Sequence, residues 1–232
     1  MPFAGFQPEV LSFLSELARN NRREWFHAHR DEYESLLLEP ARDFVEAMGA
    51  ELGPGFNADP RVGGSIMRIA RDTRFSRDKR PYKDHLDLWF WHGAGPSRER
   101  PGLWFRLSPT QLILGAGMHR FERDVLGRYR DAVVDPKRGA ALAKTVAAVE
   151  RAGAEVGGRH YNRVPAGYDA EHERADLLLH DGLYAGVELE PVPREAHTPR
   201  FPAFCAARYR GMLPVLEWLV ELVDSSFSRM AQ

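Results

Sequence analysis

The chain has one cysteine, Cys205, so it can form no internal disulfide and no thiolate cluster for zinc. No apolar run approaches the roughly 18 residues needed to span a bilayer. The opening Met1-Pro2-Phe3-Ala4-Gly5-Phe6 lacks the basic start and long apolar stretch of a secretion signal. These absences lead us to expect a cytoplasmic protein without membrane contact. Net charge is also nearly missing, −1 over 232 residues, so the chain as a whole has no electrostatic pull toward nucleic acid or anionic lipid. Lysine is scarce beside arginine. Repeats, low-complexity tracts and long linkers are absent from the sequence. With 44% hydrophobic and 28% charged residues, the composition is that of a globular chain. One domain over 1–232 is the expectation.

What is present begins with helical periodicity. Pro8 suits a first helical position, and Val10, Leu11, Phe13, Leu14 and Leu17 recur on one face. Asn21 and Glu24 read as a capping box for a second helix whose face carries Trp25, Phe26, His29, Tyr33, Leu36 and Leu37. Pro40 opens a third, ended by Gly53. The period then changes. Segments 65–70, 85–92, 102–107 and 111–116 are rich in β-branched or aromatic residues, with turn formers between the last three. Helical patterns return at 121–134 and 136–152. A loop to Gly167, a short helix at 171–180, a strand at 183–190 and a last helix through Met212 to Phe227 follow, with Pro214 marking a kink or a start. This order predicts an α+β fold, an antiparallel β-meander sheet packed against N-terminal and C-terminal helices.

The charge is unevenly spread. Arg68, Arg71, Arg74, Arg77, Lys79, Arg80 and Lys83 stand against only Asp72 and Asp78, which makes this segment +5 and the remainder −6. Guanidinium groups offer paired planar donors suited to phosphate or carboxylate. The candidate ligand-binding residues are therefore Arg68, Arg71, Asp72, Arg74, Asp78, Lys79, Tyr82, Lys83 and His85, with Arg106 from a later strand. Phe75, Pro81 and Tyr82 are expected to pin the loop to the body. In the strands, Leu86, Leu88, Phe90, Leu103, Phe105 and Leu107 make one aliphatic face. The other shows His85, Asp87, Trp89, Trp91, Trp104 and Arg106, and cover by the N-terminal helices is expected there in preference to a ligand.

The run Arg68-x-x-Arg71-Asp72-x-Arg74-Phe75-Ser76-x-Asp78-Lys79-x-Pro81-Tyr82-Lys83 resembles the signature of a bacterial family known only as a domain of unknown function. Phe3-x-Gly5-Phe6, Asn20-Asn21-x-x-x-Trp25-Phe26 and Pro165-x-Gly167-Tyr168-Asp169 are similar to that family too, so the resemblance covers nearly the whole chain. Where its pattern has a lysine after Leu177–Leu179, this chain has His180. The resemblance implies kinship and brings no activity, cofactor or catalytic residue.

Other signals are weaker. His27-x-His29 and Asp84-His85-x-Asp87 contain metal-ligand residue types at spacings that match no established site, and no metal is expected. Gly115-x-Gly117 follows a strand but lacks the rest of a dinucleotide fingerprint, so close packing explains it and no cofactor is expected. Three functions are weighed, with turnover left open. The first is binding of a small anionic or phosphorylated ligand at Arg68–Lys83, with Asp72, Asp78 or His85 as acid or base if reaction follows. The second is a nucleic-acid module combining basic loop and aromatic strand face. The third is a non-catalytic scaffold whose charges pair internally. The sequence leaves the oligomeric state open.

Overall fold

The structure is a computed structural model that describes residues 2–74, 76–95 and 97–224. Strands β1 (Leu86–Trp91), β2 (Gly102–Leu107), β3 (Leu112–Met118), β4 (Glu155–Arg159) and β5 (His180–Leu189) form an antiparallel sheet in the order β1-β2-β3-β5-β4. The fold class is α+β, as the order of patterns predicts. Chain contacts divide the molecule into two compact units interleaved in sequence. The first comprises Met1–Phe90, Trp104–Leu114 and Glu188–Arg208, and the second comprises Trp91–Leu103, Gly115–Val187 and Tyr209–Gln232.

In the first unit, helix α1 (Glu9–Arg19) buries Val10, Phe13, Leu14 and Leu17, the face that its spacing marks. The next helix differs from expectation. Helix α2 (Arg23–Ala28) stops at His29, whose φ of −111° and ψ of 23° leave the helical region. One α-helical turn at Arg30–Glu32 leads into a π-helical turn, Tyr33–Leu38, which runs on into α3 (Glu39–Leu52). Pro40 has no N–H to give to the carbonyl four residues back, and its ring crowds that carbonyl, so the turn there widens. The widening advances the buried face by one position. Leu37 and Leu38 are buried, while Leu36 remains partly exposed.

The core of this unit is aromatic. Phe44 of α3 packs on Phe105 of β2 at 5.1 Å between ring centroids and on Phe201 at 5.3 Å. Phe3 and Phe6 close the same cluster, at 5.1 and 5.6 Å from Phe44. The helices therefore cover the aliphatic face of the strands, which corrects the expectation that they cover the Trp and Arg face: Trp89 and Trp104 stay half-exposed and Arg106 is exposed. Segment 65–70, expected to be a strand, makes only isolated bridges. Ile66 pairs toward Leu88, and Ala70 toward Tyr82. It changes partner midway, from β1 to residues 81–83, so no continuous ladder forms.

The second unit carries helices α4 (Arg123–Val134), α5 (Pro136–Arg151) and α7 (Leu213–Asp224). Asp135 caps α5 by accepting from the backbone N–H of Lys137 and Arg138 at 2.9 and 2.7 Å, with Pro136 in the first turn. Pro214 marks a helix start. Tyr129 lies buried against Phe121 at 4.8 Å and donates its hydroxyl to Leu177 O at 3.1 Å. Arg128 donates to Leu222 O at 2.8 Å, a cation on the last carbonyls of α7. Arg100 is almost wholly buried, and it reaches Asp224 at 2.7 Å and His92 O at 2.8 Å.

Strand β4 falls where a loop is expected. Its Gly157-Gly158 pair has no periodicity to read, and both glycines are required by close approach. A Cβ on Gly157 would lie 2.4 Å from the Tyr184 ring, and one on Gly158 would lie 2.1 Å from Gly182 O. Gly117 meets Leu183 O in the same way, at 2.4 Å, so the Gly115-x-Gly117 pattern includes a genuine packing requirement. The helix expected at 171–180 shrinks to a 3-10 turn, Ala175–Leu179, and β5 starts earlier than expected, at His180. Helix α6 (Phe201–Arg210) precedes α7. Residues 225–227 of the expected last helix lie outside the described residues. No helix among the described residues is long and apolar enough to cross a membrane.

Gly5 supplies a test of this core. Its φ is +108°, and a Cβ there would lie 2.4 Å from the backbone of His197. Gly5→Ala is expected to destabilise the protein by about 2–5 kcal/mol, from left-handed strain and overpacking together. Chemical denaturation checks it, and an unchanged midpoint would show that the opening segment is not tightly docked.

Candidate functional site

The charged segment is closed at its base by a short antiparallel pairing. Arg71 N–H donates to Pro81 O and Lys83 N–H to Ile69 O, both at 2.8 Å, on either side of the Ala70–Tyr82 bridge. Asn21 clamps the base from outside. Its side-chain amide accepts from Tyr82 N–H and donates to Tyr82 O, both at 3.0 Å, in the manner of a neighbouring strand. The expected capping box is therefore not formed: Arg22 is the N-cap residue and makes no side-chain cap bond. The Tyr82 ring stacks on Phe26 at 4.1 Å. Tyr82 thus pins the loop as expected, while Phe75 lies outside the described residues. His29 stacks on Trp25 at 4.0 Å.

Within the loop, one local unit recurs. Asp72 accepts from the backbone N–H of Arg74 at 3.2 Å and takes the same residue's guanidinium fork at 3.0 and 2.7 Å. Asp78 does so with Arg80, at 3.0 Å from the backbone and 2.9 Å from Nε. Asp59 repeats the arrangement with Arg61 in the preceding loop, at 3.0, 2.9 and 2.6 Å. An aspartate two residues before an arginine closes its own turn and takes up that cation in one step. Asp78 also accepts from Arg71.

From Asp78 the pairs run on without interruption. Arg80 bridges to Asp84 at 3.3 Å, Asp84 to His85 Nδ1 at 2.9 Å, and His85 Nε2 to Asp87 at 3.2 Å. Asp87 is the hub. Its side chain is only 14% exposed, and it also accepts from Lys83 Nζ at 2.8 Å and Arg106 Nε at 2.7 Å. Burial alone would raise its pKa, but the bonds from His85 and Arg106 outweigh that and hold the carboxyl well below its usual range. Burial likewise opposes the His85 bond at Asp84, with a net lowering. Asp78 is held well down by Arg80 first and then Arg71, and Asp72 is lowered to about 2 by the Arg74 fork.

Few of the expected binding residues point at a common space. Arg71 turns to Asp78 and Arg74 to Asp72, while Lys83 and Arg106 share Asp87, and His85 lies inside the same network. Lys79 donates to Thr73 O at 2.8 Å. Arg68 is exposed and, like Arg77, has no ion pair among the described residues. Both ring nitrogens of His85 face carboxylates, so neither is left for a substrate proton. A small recess of about 10 Å³, room for a single water, lies beside His85 between Tyr33, Leu37, Ile66 and Ile69. Sequence reasoning missed Asp84 and Asp87 as members of the cluster and Asn21 as its clamp. The Asp-x-Arg spacing at 59–61, 72–74 and 78–80 was a readable signal for local pairing.

The chain is an α+β protein in which one charged, internally paired loop leads into the edge strand β1. Residues 9–218 match the family described as a conserved hypothetical protein, DUF2461, and the chain belongs to that family. No curated protein and no solved structure matches it.

Asp87→Asn leaves Lys83, His85 and Arg106 around a neutral amide. It is expected to cost about 3 kcal/mol and to lower Tm by about 10 °C. Asp72→Asn, on a fully solvated pair, is expected to leave Tm unchanged. Equal Tm values for the two variants would refute the hub role. The lowered carboxyl pKa values give the sign of the pH response. Their stabilisation is complete above the ordinary aspartate value of 3.8 and is lost as pH falls from there toward the folded-state values. Melting curves between about pH 5 and pH 2 should show this decline, shallower in Asp87→Asn.

Proposed function

We propose that this chain is a non-catalytic binding scaffold in which Arg68–Lys83 is an internal ion-pair network that holds loop 72–80 as a fixed surface for a partner. One observation carries the reading: the acids of the segment and of β1 take up most of its cations, ending in the three donors on Asp87. Such pairing gives a loop a shape rather than an empty anion grip. Buried or part-buried pairs of this kind are costly to break singly even where their net contribution is small.

A second reading is favoured by the remainder of the segment. Arg68, Arg77 and Lys79 are exposed and make no ion pair among the described residues, and they stand on a loop already ordered by its neighbours. That arrangement supports binding of a small anionic or phosphorylated ligand at the loop's outer side, where preorganisation reduces the entropy lost on binding.

Thermal melting separates the two. The scaffold reading expects Arg71→Ala to lower Tm and pyrophosphate to leave the wild-type Tm unmoved. If pyrophosphate raises Tm and the double variant Arg68→Ala, Lys79→Ala abolishes that rise, the ligand reading replaces it. Salt-titrated binding of single- and double-stranded oligonucleotides completes the comparison. Retention at low salt with a steep salt slope would instead favour a nucleic-acid module.

A further inference from the structure

A second group of charged residues lies in the second unit, apart from the ion-pair loop. The strand order β3-β5-β4 places β5 between its two neighbours. Asp181 is the second residue of β5. Arg120 lies just past the end of β3, and His160 directly follows β4. The three consequently stand in a row across one end of the sheet, with the carboxylate in the middle. The backbone secures the row: Phe121 N–H donates to Asp181 O at 2.6 Å, and His160 N–H and Tyr161 N–H both donate to Leu179 O at 2.9 Å.

The side chains do not complete what the backbone arranges. Asp181 is only 13% exposed, yet its nearest cationic atoms, Arg120 Nε and His160 Nδ1, lie at 3.9 and 3.8 Å from the same oxygen. Both distances exceed hydrogen-bond length, and among the described residues no donor bonds to this carboxylate. Beside it, His160 meets Tyr161 edge to face at 5.0 Å, and the Arg130 guanidinium lies over the Tyr161 ring at 5.2 Å. Arg130 Nε is buried without a partner. A mostly buried carboxylate with no hydrogen-bonded donor among the described residues and a buried guanidinium nitrogen with no acceptor therefore lie beside one His-Tyr pair. Polar groups withdrawn from water ordinarily find partners.

The geometry points to a binding site for a small molecule that carries a carboxylate with a hydroxyl or amino donor on the adjacent carbon. The donor bonds to Asp181, filling the gap left by Arg120 and His160. The ligand's carboxylate is taken by the Arg120 guanidinium, which is largely exposed and free to swing inward. Tyr161 supplies a flat wall backed by Arg130. Asp181 bonds only to a group with a proton to give, and Arg120 only to an acceptor, so neither half of the ligand suffices alone.

Titration calorimetry with glycolate and glycine as probes, and acetate and methylammonium as single-function controls, tests this. A bifunctional probe is expected to bind saturably and at least tenfold more tightly than either control. Asp181→Asn, which keeps the side-chain shape, and Arg120→Ala, a change at an exposed position, are each expected to weaken that binding at least tenfold. Arg120→Ala decides the matter if the first variant fails to fold. No bifunctional binding, acetate binding as tightly as glycolate, or affinity undiminished in the folded variants would overturn the proposal and leave the gap to water.

Discussion

A carboxylate that loses most of its water on folding must find donors in the protein, and Asp87 finds three of them from two directions. Lys83 and His85 reach it from the segment just before its own strand, and Arg106 reaches it from the neighbouring one. The cost of leaving that carboxylate buried and unpaired fixes the start of β1 against β2. The position of β1 in turn sets the place where the charged loop returns to the sheet. Through His85, Asp84 and Arg80 the same constraint extends to Asp78 and Arg71 on the far side of the loop. The hairpin base at Ala70 and Tyr82 and the clamp from Asn21 then define a surface rather than a tether.

That arrangement makes sense of residues that look unrelated along the chain. Asn21 and Phe26 are side chains of one early stretch, and both meet Tyr82, one through its backbone and one through its ring. Gly5 lets the opening segment lie flat on His197, which seats Phe3 and Phe6 beside Phe44. Three of the four segments similar to the family pattern, at 3–6, 20–26 and 68–83, thus lie within the first unit, and the fourth, at 165–169, belongs to the second.

The helices and strands with clean periodicity were legible. Val10, Phe13, Leu14 and Leu17 marked their own buried face, and Leu86, Leu88 and Phe90 marked theirs. The π turn before Pro40 was harder to read, because a proline can as easily begin a helix as widen the one it joins. Strand β4 carried no pattern, since its two central residues have no side chains to alternate. At the candidate site the charge count singled out the loop but said nothing of which way its side chains turn. Seven cations against two acids looked like an unused surplus, and the acids that absorb part of it, Asp84 and Asp87, lie just beyond the segment counted.

By itself, then, the amino-acid order determined which stretches bury a face, where turns fall, and that positive charge gathers between residues 68 and 83, because these follow from spacing and composition within a few residues. Tertiary structure alone decided which carboxylate each guanidinium meets, which face of the strands the helices cover, and that Arg120, His160 and Asp181 stand abreast. Those outcomes depend on distances between segments far apart in the chain, and local periodicity carries no information about them.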